Sequence, residues 1–190
     1  MSTLSVNNVT EVGGAPVVTA GVLDSGSLPT GTILQVVSTT KTDTFSASVA
    51  GSGSVAVTGL SITHSLSNSS NKLVLMATFG AAGSSQNTAR VGLNIHDGTS
   101  FIVEPTTPSA RTAVLAGGWQ NSTAVTNMTQ NVSAQVEYSP GTTSSITYTV
   151  HVINVDSTTQ TLYVNRSGGD GDNGNNVRAV SSLVLLEIAG

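Results

Sequence analysis

The side chains of this chain best able to do chemistry are three histidines, one glutamate near the end, and a loop of carboxylates and amides. His64 stands in Leu60-Ser61-Ile62-Thr63-His64-Ser65-Leu66, where strand alternation puts it on the same face as Leu60, Ile62 and Leu66. An inward-facing imidazole of this kind is more often a hydrogen-bonded core or interface group than a metal ligand. His96 shares a face with Asn94, opposite Val91, Leu93 and Ile95, and His151 lies opposite Tyr148, Val150 and Val152. Both are expected on a solvent face or along a subunit seam. Glu187 follows Leu183 and Leu185 on one face of the last apolar run. Buried there, it would be a general acid if its pKa were raised, or an interface group paired with a cation. No second carboxylate has a similar setting, so paired-carboxylate glycoside hydrolysis finds no support in the spacing.

The tract Gly169-Asp170-Gly171-Asp172-Asn173-Gly174-Asn175-Asn176 carries hard oxygen donors of the kind calcium takes. It departs from an EF-hand loop, with Gly174 where a fifth-position ligand belongs and Ser181 where the bidentate glutamate belongs. A hairpin tip made of residues that tolerate positive φ is the expected reading, and neither a metal nor another cofactor is expected. The sequence has no G-x-S-x-G, H-E-x-x-H or G-x-x-x-x-G-K-[ST]. It has no cysteine, so disulfides, thiolate metal sites and a cysteine nucleophile are excluded. Aromatic residues are 4% of the chain, which leaves few platforms for sugar stacking. Trp119, just after Gly117-Gly118, is the best candidate for an exposed contact residue, with a core tryptophan as the alternative. No catalytic residue is expected.

The elements that position these groups are strands. From Thr32 onward β-branched residues alternate with polar ones and turn residues recur at short intervals. The strand signals fall in TILQVVST, TFSASV, SVAVTG with LSITHSL, KLVLMATFG, ARVGLNIHD, TSFIVE, TAVLAGGW, NVSAQVEY, SITYTVHVINV, TLYVN and VRAVSSLVLLEIA. Turns are expected at Gly51-Ser52-Gly53, Asn68 to Asn71, Gly80 to Ser85, Asp97-Gly98, Pro140-Gly141 and Ser167 to Asn176. The fold class is therefore all-β, an antiparallel, jelly-roll-like β-sandwich over residues 31–190. Two runs, Leu73-Val74-Leu75-Met76-Ala77 and Leu183-Val184-Leu185-Leu186, are apolar on both faces. A strand of that kind needs its second face covered, by another subunit or by a loop or arm of its own chain. His64, Leu183, Leu185 and Glu187 are the candidate subunit-interface residues.

Residues 1–30 read as an extended arm and hinge. Leu4, Val6, Val9, Val12, Val17 and Val18 are irregularly spaced, and Gly13-Gly14 and Pro16 are expected to break any regular element. Such a segment needs a surface to lie on. Charged residues are only 8% of the chain and the net charge is −4 with six Lys and Arg, so nucleic acid is not an expected partner. No secretory signal and no apolar run of about 18 residues is present, so synthesis in a cytoplasm and no membrane insertion are expected.

The opening MSTLSVNNVTEVGG resembles the start of fibre-like and appendage proteins of tailed phages, especially marine and cyanobacterial ones. The resemblance continues in GTILQVVSTTKTDTF, VTGLSITHSLSNSSNKLVLMATF, RVGLNIHDGTSFI, YTVHVINVD, LYVNRSGGDGDN and SSLVLLEIAG, in that order. It implies a non-enzymatic virion structural protein, a homotrimer on the virion surface, docked to capsid, tail or adaptor proteins by its N-terminal arm. Long shafts and repeats are absent, which fits a short appendage. The rival readings are a capsid decoration protein and a carbohydrate-binding, lectin-like module. Trp119, Asp170, Asp172 and Asn173 are the candidate host-contact tips, with a host-surface glycan as the ligand.

Overall fold

The computed structural model describes residues 28–85, 88–106, 109–121 and 128–190, together with three short strands in the N-terminal segment. Those are β1 (Asn8–Thr10), β2 (Pro16–Thr19) and β3 (Val22–Leu23), which pair antiparallel in chain order as a small sheet. Pro16 does not break regular structure as expected; it opens β2 opposite Thr10, at a register irregularity where a ladder N–H is not needed. Val9 pairs with Val18, and Val17 lies in β2, whereas Leu4, Val6 and Val12 lie outside the described residues.

Ten further strands build the head: β4 (Ile33–Lys41), β5 (Phe45–Val49), β6 (Ser54–His64), β7 (Lys72–Ser84), β8 (Thr88–His96), β9 (Ala116–Asn121), β10 (Gln130–Tyr138), β11 (Ile146–Asn154), β12 (Gln160–Val164) and β13 (Ser181–Ile188). One sheet runs β4-β13-β7-β12-β5 with β10 on the other edge of β7, and the second runs β6-β11-β8-β9. Every pairing is antiparallel. Taking β4-β13-β7-β10 against β6-β11-β8-β9, the chain passes from one layer to the other at each step except between β8 and β9, which are neighbours in one layer, and this is the jelly-roll arrangement of an antiparallel β-sandwich. Among the described residues there is no helix.

Alternation decides which side chains enter the sandwich. Leu73, Leu75, Ala77 and Phe79 of β7 meet Leu183 and Leu185 of β13 on one inner face, and Val57, Leu60, Ile62, Val91, Leu93, Ile95, Tyr148, Val150 and Val152 line the other. β6 spans what the sequence divides into two runs. It passes through a bulge between Ala56 and Ser61, where Gly59 adopts φ +79 and Val57 and Leu60 both stay buried.

Two sequence expectations fail locally. Gly80 to Ser85 is not a turn: β7 continues to Ser84, because past Thr78 it exchanges its neighbour β13 for β12, pairing Val164 with Ala82. Gly80 is needed at this exchange, since a Cβ there would lie 2.2 Å from the carbonyl oxygen of Val180. The crossover between β12 and β13 is fixed by Asn165, buried at φ 63, which donates to the carbonyls of Lys41 and Asp43 and accepts from Ser181 Oγ at 2.6 Å. Those bonds offset its left-handed backbone strain. In turn, Thr99 to Glu104 is not a strand, and only Phe101 makes a bridge, to His96.

Truncating Leu185 to alanine opens a cavity between the two layers. We expect Leu185→Ala to lower the unfolding free energy by about 2–5 kcal/mol in urea titration. Gly80→Ala should also destabilise, through its clash with Val180.

Candidate functional site

Three places in the head gather side chains with chemical or binding capacity. The first is buried. Glu187, 1% exposed, ends β13 on the core side and meets the loop that joins β6 to β7. Its Oε1 accepts from the backbone N–H of Ser67 at 2.8 Å, from Ser67 Oγ at 2.7 Å and from Asn71 Nδ2 at 2.6 Å. Its Oε2 lies 2.9 Å from His64 Nε2. A carboxylate can only accept, so His64 carries a proton on Nε2. Burial pushes the Glu187 carboxyl up, but the donors of Ser67, Asn71 and His64 outweigh it and hold the pKa below the ordinary value.

This cluster assembles His64, Glu187 and a serine, yet it lacks the order of a nucleophilic triad. Ser67 Oγ gives its proton to Glu187 and accepts from Asn71 at 3.0 Å, so the imidazole does not stand between hydroxyl and carboxylate. A carboxylate with a lowered pKa is also a poor general acid. The group is a latch that ties the β6–β7 loop to the last strand, and Asn71 Oδ1 extends it by accepting from the N–H of Gly190 at 3.2 Å.

The second place is the outer face of the sheet containing β7 and β13. In register, Val184 stands beside Met76 and Leu186 beside Val74, and both β13 residues are flanked by β4, Leu186 by Val36. Ile33, opposite Ile188, and Val36 are 54% and 59% exposed. Polar pairs border this apolar surface: Lys72 with Glu137 at 2.8 Å and Thr78 with Ser133 at 3.1 Å. Leu183, Leu185 and Glu187, expected at a subunit interface, are instead inside the sandwich, as is His64. The outer face is carried by the alternate residues of the same strands.

The third place is on the other sheet. Trp119 of β9 pairs in register with Arg90 of β8, and the guanidinium lies 5.2 Å from the indole centroid. Trp119 is 66% exposed, which decides between the two sequence readings: it is a surface tryptophan. It lines an open cavity of about 360 Å³ with Arg90, Val114, Gly117, Gly118 and Val155.

The remaining candidates are structural in this arrangement. Asp170 is held by Arg166, at 3.2 Å, and by Arg178, so two guanidinium groups occupy the carboxylate that a cation would need. Asp172 and Asn173 are exposed beside it, and Asn173 Oδ1 caps the turn by accepting from the N–H of Asn175 at 3.0 Å. His96 and His151 lie on the outer face of their sheet, as the alternation predicts, but they are half-buried there: their rings stack at 5.2 Å and Phe101 stands edge-on to both. Burial, then the nearby His96, pushes the His151 pKa down. Among the described residues, no group of three or more potential ligands could hold a metal.

The fold and these sites define an antiparallel β-sandwich of jelly-roll order with an apolar patch on the outer side of one sheet and an exposed tryptophan on the outer side of the other. The chain matches no protein-family model and no curated protein sequence.

Replacing Glu187 tests the latch. Glu187→Ala leaves the donors of His64, Ser67 and Asn71 buried without an acceptor and should cost about 3–5 kcal/mol. Because the folded-state pKa is lowered, the carboxylate's contribution is complete above the ordinary value of 4.5 and is lost as pH falls through the folded value. Glu187→Gln should therefore show a shallower loss of stability below pH 4.5 than the wild type, read from urea midpoints across an acid series.

Proposed function

We propose that this chain is a non-enzymatic structural protein of a phage virion. In this reading it is a short trimeric surface appendage in which residues 31–190 form the head and residues 1–30 dock it to the particle. The observation that carries the reading is the apolar outer face of Val36, Val74, Met76, Val184 and Leu186. Val36 is exposed and Val74, Met76, Val184 and Leu186 are half-buried beside it, and a contiguous apolar surface rimmed by polar pairs supports a contact with another chain, whereas isolated surface hydrophobics support nothing. The hydroxyl-rich, weakly charged composition suits a domain that stays folded outside a cell without a cofactor. The resemblance of the opening segment and the ordered core stretches to fibre-like virion proteins supplies the setting and the number of copies, three. On this reading the virion partners are capsid, tail or adaptor proteins, and a capsid decoration protein would use the same apolar face.

A second reading, a lectin-like carbohydrate-binding module, is favoured by one observation, the exposed Trp119 beside Arg90. The two are compatible in one molecule, because the apolar face and the tryptophan lie on the outer sides of different sheets.

The test is the solution mass of the full chain and its retention on particles that lack it. The expected mass is three times 19.1 kDa. Leu186→Glu places a charge in the contact and should weaken association roughly 100-fold, leaving a folded monomer by circular dichroism. A wild-type monomer that is not retained on particles overturns the reading.

A further inference from the structure

The outer face of β8 and β9 is unlike the rest of its sheet. Toward β6 that face is built from hydroxyl groups, such as Thr63 and Thr147, whose Oγ1 atoms are 2.8 Å apart, and in its middle stand the stacked rings of His96 and His151. At β9 it becomes an apolar shelf with one cation. Gly92 and Gly117 make room for it: a Cβ at Gly92 would lie 2.4 Å from Val114 Cγ1, and one at Gly117 3.3 Å from Val114 Cγ2. Val114 therefore lies flat on the sheet, held by the neighbouring Leu115, whose N–H bonds to Asn94 Oδ1 and to the carbonyl of Leu93. Val155 completes the floor beside Arg90.

The indole and the guanidinium stand at the edge of this floor. Nothing in the fold requires an exposed indole at position 119, and leaving so large an apolar ring in water gains no burial energy. Arg90 has one ion-pair partner among the described residues, Asp156, at 3.9 Å. That separation is beyond hydrogen-bond length, so the carboxylate orients the guanidinium while its fork of N–H donors stays open.

We infer that this shelf is a binding subsite for an acidic sugar, a pyranoside that carries a carboxylate. The inference rests on the host-contact part of the proposed function and names its ligand class. The C–H face of a pyranose ring covers the indole and the valine floor, its hydroxyls remain in water, and its carboxylate takes the planar fork of Arg90 in bidentate fashion. The cavity, about 360 Å³, is at the small end of the range of about 300–1,000 Å³ for ligand sites and suits a ring or two of a surface glycan. A nucleic-acid strand, the other polyanion that stacks on aromatic rings, needs a basic track along its backbone, and six Lys and Arg on a chain of net charge −4 do not make one.

The chain's only tryptophan is its own reporter. Full-length protein is titrated with an oligosaccharide of alternating uronic acid and neutral sugar, and with the same oligosaccharide after its carboxylates are reduced to alcohols. A saturable change in fluorescence is expected, about tenfold weaker for the reduced probe, since the charge-assisted bidentate contact is lost. Arg90→Gln should abolish that preference, and Trp119→Ala, followed by calorimetry, should lose both ligands. Equal affinity of the wild type for the two probes, or binding unchanged in Trp119→Ala, overturns the inference. If neither probe binds, the ligand class is wrong, and adsorption of particles carrying Trp119→Ala then separates the two claims. Lost adsorption leaves host contact through Trp119 standing, while unchanged adsorption removes that too.

Discussion

The pairing of β7 with β13 is the constraint on which the rest of the structure depends. Each strand contains an unbroken apolar run, Leu73 to Ala77 in β7 and Leu183 to Leu186 in β13, so when they lie side by side in register the pairing produces two apolar surfaces. One, of Leu73, Leu75, Ala77, Phe79, Leu183 and Leu185, is the centre of the core. The other, of Val74, Met76, Val184 and Leu186, is left on the outside. With a period of two residues neither surface can be moved without moving the other, and a slip by one residue would carry Glu187 out of its cluster of donors. The latch of His64, Ser67, Asn71 and Glu187 thus acts as a polar register mark at the end of an otherwise apolar pair.

The sandwich gives these surfaces distinct outlooks. Its two outer sides face away from each other, so a molecule that assembles through the apolar side of β4, β13 and β7 keeps the polar side of β6, β11, β8 and β9 in solvent. The Trp119 shelf is on that second side. Under the proposed function, assembly and ligand contact would not compete for surface, because the two faces belong to different sheets of the sandwich.

Much of the sandwich was legible in the sequence, because alternation and turn residues locate strands without knowledge of their partners. The two doubly apolar runs were legible as well, and they are neighbours in the sheet. Misreadings arose where partners decide. Gly80 to Ser85 has turn composition, but β12 supplies a second ladder that keeps it extended. Thr99 to Glu104 has strand composition, yet it finds a partner only at Phe101. Leu183 and Leu185, named as interface candidates, are core residues, since they are as apolar as Val184 and Leu186 and only the pairing shows which go inward. Arg90 was not picked out at all: its place beside Trp119 depends on the register of β8 with β9, and no spacing along the chain encodes it.

The central claim is that another copy of this chain covers the outer face of β7 and β13. The sequence has no cysteine, so Val184→Cys introduces a single thiol on that face, and Thr99→Cys does the same on an exposed loop as a reference. The most direct measurement is the rate of thiol labelling of the full-length protein over a dilution series. The account requires slow labelling at position 184 at high concentration, rising toward the reference rate on dilution as the copies separate. A rate at position 184 that does not change with concentration would contradict it, and would mean that the face is open or is covered from within one chain.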